Sequence, residues 1–202
     1  MAAACLLPLA LFSVANRRAP YFYVMHNLVF IAVTAIIILA FCQPGPTTNE
    51  LASKYKSNPE GFEKLSRLIK EDTGSKSCFV VGLDNIGDYW EYMGKWAHPP
   101  DSTINLSLAE VLKVVGLTQD RYAEYKQLFS STGSERISFC HAQKYVPQDR
   151  VTVLVYRSGL AVSGCSGTIN WMKTNPNSKH DKDNSTKITE LGNGWYLEYK
   201  CT

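Results

Sequence analysis

Two short segments carry the residue types that nucleophilic catalysis uses. Cys140-His141 pairs a thiol with a base, and Gly164-Cys165-Ser166-Gly167 places a cysteine and a serine between glycines. Neighbouring strand residues face opposite sides, so Cys140 would need a histidine from elsewhere, His98 or His180. The glycine segment lacks the spacing and the following helix of a nucleophile elbow. We therefore predict no catalytic residue, and a small hydrolase with Cys140 or Ser166 as nucleophile and His98 or His141 as base stays the alternative.

Aromatic side chains crowd one irregular segment, residues 84–101. Its prolines and glycines do not permit a long helix. Tyr and Trp combine a flat apolar face with a polar group, which suits stacking on a sugar or contact with a peptide. The alternative is that the tryptophans close the core over a helix. The predicted ligand-binding residues are Tyr89, Trp90, Tyr92 and Trp96.

No metal or cofactor site is expected. The four histidines are scattered, and neither HExxH nor CxxC occurs. Asp84 and Asp88 are four residues apart, but Ile86 lies between them where a calcium loop needs an oxygen ligand. A solvated turn is therefore the expected structure of this pair.

The cysteines after residue 50 are even in number, as in a disulfide framework. Four cysteines can pair in three ways, and the sequence leaves the pairing open. Buried free thiols are the alternative. At least one disulfide is expected if the domain lies outside the cytoplasm. The cysteines are Cys78, Cys140, Cys165 and Cys201.

Charge argues against a nucleic-acid partner. Of the 21 basic residues only Arg17 and Arg18 precede residue 50, and all 18 acidic residues follow residue 49. The remaining chain thus has an excess of one positive charge. A dedicated nucleic-acid binder would concentrate basic residues on one surface.

The longest uncharged run, residues 19–42, predicts a membrane anchor. Its apolar heart is residues 28–41, and a spanning helix needs roughly 20 mostly apolar residues. Arg17 and Arg18 precede the run, and Lys54 is the first basic residue after it. The positive-inside rule then places the C-terminal domain outside the membrane.

Three alternatives for the N-terminal part remain open. Cys42, at the end of the apolar run, is placed for lipidation of a lipoprotein precursor, although Phe41 fits that signal poorly. Met25 offers a later start. Cleavage after Ala15 would leave the domain inside the cell. Lipoprotein and uncleaved helix both tether the domain.

The remaining pattern predicts the elements that would position these residues. Asn58 and Pro59 begin one helix, Ser107 and Glu110 form a capping box for a second, and Thr118 opens a third. Alternating apolar residues then predict strands to the C-terminus. The expected organisation is an N-terminal apolar segment (1–18), the anchor (19–42), a linker (43–58) and one domain (59–202).

The expected fold class is α+β, with the membrane anchor followed by two or three helices packed on a four- or five-stranded antiparallel sheet. The expected function is a membrane-tethered, extracytoplasmic, non-catalytic binding module. Its partners would be the membrane, through residues 19–42, and a protein or another envelope component. The sequence names no ligand.

Overall fold

The computed structural model describes residues 45–98, 101–143, 147–160, 163–174 and 186–201. These form four helices and one antiparallel sheet of ten strands. The helices are α1 (Thr48–Ser57), α2 (Pro59–Thr73), α3 (Leu108–Val115) and α4 (Gln119–Thr132). The strands are β1 (Cys78–Gly82), β2 (Asn85–Ile86), β3 (Tyr89–Tyr92), β4 (Lys95–His98), β5 (Asp101–Leu106), β6 (Arg136–Cys140), β7 (Arg150–Leu160), β8 (Ser163–Met172), β9 (Thr186–Gly192) and β10 (Trp195–Cys201).

The predicted fold class is wrong in its size and balance. The described residues contain ten strands where four or five were expected, and four helices where two or three were expected. Five of the extra strands come from two segments with tight turns. Met93 and Gly94 join β3 to β4, and Asn193 and Gly194 join β9 to β10, all with positive φ. Such turns match the twist of hairpin strands, which makes short strands stable neighbours.

Residues 43–58 do not form the predicted linker, because α1 occupies most of them. Thr47 caps this helix by accepting from the Glu50 backbone N–H, while the Glu50 carboxylate accepts from the Thr47 N–H. Leu51 and Tyr55 are buried in the core. The compact unit therefore starts at Gly45.

The sheet order is β5-β4-β3-β2-β1-β6-β7-β8-β10-β9. Two rows of apolar residues cross its centre on one face, because directly paired residues of successive strands are apolar together. These rows and the helices share a single hydrophobic core. The rows are Val81, Ile137, Val153, Ile169, Leu197 and Phe79, Phe139, Val151, Trp171, Trp195.

The predicted membrane anchor, residues 19–42, lies outside the described residues, and so does Cys42. Within the described ranges, none of the helices is long and apolar enough to cross a membrane.

Asp84 ties the short hairpins to the centre of the sheet. Its carboxylate accepts hydrogen bonds from Arg136 Nη2 at 2.9 Å and from Arg157 Nη1 at 2.8 Å. Burial alone would raise the pKa of Asp84, but the bonds from Arg157 and Arg136 outweigh it and hold the pKa below its ordinary value. The charged form of Asp84 therefore stabilises the fold.

We predict that Asp84→Asn lowers the free energy of unfolding at pH 7 by about 1–3 kcal/mol, because two charge-assisted hydrogen bonds are lost. The folded-state pKa is lowered, so this stabilisation exists above the ordinary value of 3.8 and is lost as pH falls through the folded value. Urea unfolding at neutral pH and below pH 3.8 should show the two proteins converging in acid. Asp88→Asn is the control, since the Asp88 side chain is 88% exposed. An equal loss in both variants would contradict the role of Asp84.

Candidate functional site

A groove of about 980 Å³ opens where the sheet parts beside β1. Strand β2 has two residues, and Ile86 pairs with Val81 before the chain turns away at Gly87. The first half of β1 therefore has β6 on one side and the groove on the other. Its lining comes from β1, the β2–β3 hairpin, β4, the end of α3 and β6: Lys76, Ser77, Cys78, Phe79, Val80, Asn85, Gly87, Asp88, Tyr89, Trp90, His98, Val114, Val115, Ser138 and Cys140.

Backbone groups of β1 point into this groove. The His141 N–H donates to Ser77 O and the Leu83 N–H donates to Glu135 O, so the odd-numbered residues of β1 bond to β6. The backbone N–H and C=O groups alternate in direction along a strand, so those of Cys78 and Val80 point away from β6. The Gly87 N–H donates to Val80 O. The N–H and C=O of Cys78 and the N–H of Val80 have no partner among the described residues.

One wall of the groove is the ring of Trp90. The Arg136 guanidinium lies 4.9 Å from the ring centroid and is itself held by Asp84. Arg136 shares a sheet face with Ser138 and Cys140, so Trp90 lies over the face opposite the helices. A cation against an aromatic face stabilises this position. The wall is therefore positioned while 43% of Trp90 stays exposed.

The opposite wall is the C-terminal end of α3. The Lys76 Nζ donates to Val115 O at 3.1 Å and lies 4.0 Å from the centroid of the Phe79 ring. Val114 is 63% exposed on this wall. A cation at a helix C-terminus is favourable. The wall thus combines exposed apolar surface with one positive charge.

A polar pair stands beside Tyr89. His98 Nε2 is 4.0 Å from the Asp88 carboxylate, and the His98 ring meets the Tyr89 ring edge-on with centroids 5.3 Å apart. Asn85 Nδ2 donates to Tyr89 O at 2.9 Å and to Gly87 O at 3.2 Å, which fixes the hairpin turn. The groove therefore offers both apolar surface and hydrogen-bonding groups.

The four aromatic residues predicted to bind a ligand separate in the structure. Tyr89 and Trp90 line the groove. Tyr92 is 73% exposed near the β3–β4 turn and is not part of the lining. Trp96 is 5% exposed and belongs to the hydrophobic core. Sequence spacing grouped all four because it could not show which of them face the gap beside β1.

All four cysteines of the described residues form disulfides, as expected for at least one pair. Cys78 pairs with Cys140, and Cys165 pairs with Cys201. Each pair lies directly opposite across two neighbouring strands. Cys78 and Cys140 occupy a non-hydrogen-bonded position, where side chains approach most closely. This disulfide also lines the groove.

The residues weighed for catalysis are not assembled into a reactive group. Disulfide bonding leaves neither Cys140 nor Cys165 as a thiolate. His141 lies near Asp149, with Nδ1 3.8 Å from its carboxylate. Among the described residues, no hydrogen bond joins Ser166 to a histidine. The described residues also contain no cluster of three or more metal-ligating side chains.

Three parts of the site were not predicted from the sequence: the main-chain groups of β1, Lys76, and Val114 with Val115 of α3. The aromatic cluster signalled the hairpin wall only. The gap depends on β2 ending after two residues, and the glycine at position 87, with φ of 56°, was the available sign of that turn.

No family model, curated protein or solved structure matches the chain.

The strand register predicts one disulfide pairing of the three. A non-reducing peptide map should yield Cys78 joined to Cys140 and Cys165 joined to Cys201. Replacing Cys78 and Cys140 together by serine should lower the free energy of unfolding by about 2–4 kcal/mol. A peptide that joins Cys78 to Cys201 would contradict the register of β1 with β6.

Proposed function

We propose that this domain is a non-catalytic, extracytoplasmic binding module that holds a partner protein or an envelope component in the groove beside β1. The observation that carries the proposal is the groove itself, with exposed apolar walls from Trp90 and Val114 around main-chain hydrogen-bonding groups of β1. A mostly apolar cleft with a few convergent polar groups is the usual form of a binding site.

The disulfides support an oxidising compartment. Both pairs join neighbouring strands of the sheet, and structural disulfides persist in extracytoplasmic proteins. They also remove the cysteine nucleophile from the alternative hydrolase. Binding therefore explains the groove more simply than catalysis does.

The first described residue, Gly45, lies beside Tyr156 rather than beside the groove. A Cβ added to Gly45 would lie 2.9 Å from the Tyr156 hydroxyl oxygen. Tyr156 is six residues along β7 from Arg150, which pairs with Cys140. At about 3.3 Å per residue, Gly45 and the groove lie roughly 20 Å apart along the strands. Gly45, the first described residue of the domain, therefore lies away from the groove.

We expect a photo-crosslinking amino acid in place of Val114 to capture a partner in intact cells. Trp90→Ala should reduce the adduct about tenfold, because it removes an aromatic wall. Tyr92→Ala is the matched control, since it removes an exposed aromatic residue of the same strand from outside the groove. Gel electrophoresis of the purified adducts measures the yield.

A second crosslinking position on β9 tests the site rather than the partner. Ile188 is 41% exposed and lies outside the groove lining. An equal adduct from position 188, or an adduct that survives Trp90→Ala, would overturn the groove as the binding site. Urea unfolding of Trp90→Ala, expected within about 1 kcal/mol of the parent, verifies that the variant folds.

The proposed tether is residues 19–42, with the domain on the outer side of the membrane. Intact mass of protein extracted from membranes should show either a chain that retains residues 25–42 or one that begins at Cys42 and carries acyl chains. Each tethers the domain. Recovery of the protein in the soluble fraction would contradict the tether and leave the groove proposal to its own test.

A further inference from the structure

We infer that the groove binds an extended peptide segment of a partner protein, which adds as a short strand to the open edge of β1. This inference rests on the proposed binding function and names its ligand class. Strand addition uses main-chain hydrogen bonds for affinity and side-chain pockets for specificity.

Three main-chain groups define the docking pattern. The N–H groups of Cys78 and Val80 are donors, and the Cys78 C=O is an acceptor; all three face the groove without a partner among the described residues. Cys78 is exposed and Val80 is half-buried, so these groups form an open strand edge, which is a template for pairing with another chain. A strand laid along β1 in either direction supplies two carbonyls, two residues apart, and one N–H. It therefore satisfies the whole set.

The walls specify the side chains of the peptide. Side chains of an added strand point alternately to the two faces of the sheet. On one face they meet Trp90, and on the other they meet the end of α3 at Val114 and Val115. Both faces present exposed apolar surface at Trp90 and Val114, so we expect a run of three to five apolar or β-branched residues rather than a strict alternation. A glycan would satisfy the aromatic wall but would not match the alternating backbone groups of β1.

The decisive experiment scans N-methyl groups along the peptide. A library of capped hexapeptides of Val, Ile, Thr and Tyr is affinity-selected on the full chain in detergent, with Trp90→Ala protein for counter-selection. Each amide of the selected peptide is then methylated in turn. Only one peptide N–H reaches the Cys78 C=O, so one position should lose affinity about tenfold or more while both its neighbours are tolerated.

Amide hydrogen exchange provides the matched measurement on the protein side. In protein labelled with ¹⁵N-valine, ¹⁵N-cysteine and ¹⁵N-phenylalanine, the selected peptide should slow exchange at Val80 and Cys78 about tenfold. The Phe79 amide, which faces β6, is the internal control and should be unchanged. A Val80 amide already as protected as Phe79 in the free protein would overturn strand addition.

The remaining outcomes separate this inference from the proposed function. Equal loss at every methylated position, or at none, overturns strand addition. No selected peptide, with chitohexaose bound in a Trp90-dependent way, overturns the peptide and leaves the groove as a binding site. Partner crosslinking from position 114 that depends on Trp90, without slower exchange at Val80, also overturns the peptide and leaves the groove as a binding site. If the adduct from position 114 does not depend on Trp90, both the groove proposal and the peptide inference are overturned.

Discussion

The direction of the backbone groups in β1 is the constraint on which the site depends. Because residues 77, 79, 81 and 83 bond toward β6, Cys78 and Val80 present theirs to the opposite side. The same alternation puts Cys78 and Cys140 at a non-hydrogen-bonded pair, where a disulfide can form, and puts Phe79 and Val81 into the core. A shift of one residue in this register would bury the cysteines and move the apolar residues to the surface. The disulfide, the core and the groove therefore all depend on the same register of β1 with β6.

The packing at the centre of the sheet stabilises this register. Two rows of apolar residues run across the strands β1, β6, β7, β8 and β10. Helix α2 packs over β1 and β6. Apolar burial is the dominant favourable term in folding, so these rows hold the central strands in place. The β2–β5 hairpins then attach through Asp84, which binds Arg136 of β6 and Arg157 of β7. One wall of the groove therefore depends on this electrostatic junction.

Local signals in the sequence predicted the helices better than the sheet. Asn58 with Pro59, and Ser107 with Glu110, act through hydrogen bonds three residues apart, so the sequence alone contains them. Thr47 and Glu50 form the same capping box. There the Pro, Thr and Ser content of residues 43–58 suggested a linker, although burial of Leu51 and Tyr55 decides for a helix.

The strands of residues 84–106 depend on partners that sequence spacing does not reveal. A strand of two residues such as β2 has no periodicity to detect, and it exists because Val81 and Tyr89 flank Ile86. The same limit applies to the site. Trp90 and Trp96 have the same residue type, yet one faces the groove and the other the core, because pairing of β3 with β4 sets which side each residue takes. Aromatic composition identified the hairpins and could not locate the gap beside them.

An open strand edge is a hazard that proteins restrict, and two edges in the described part of this sheet are restricted in different ways. The exposed outer strand β9 carries Lys187 and Glu190, which oppose pairing with another sheet. The edge of β1 carries no such charge at its centre, but it spans only residues 78–80 and lies between the Trp90 wall and the α3 wall. These walls stand in the way of a flat sheet, and under the proposed function a single extended segment enters between them. The two walls thus oppose pairing with a second sheet, and under the proposed function they leave the backbone groups of β1 to a narrow ligand.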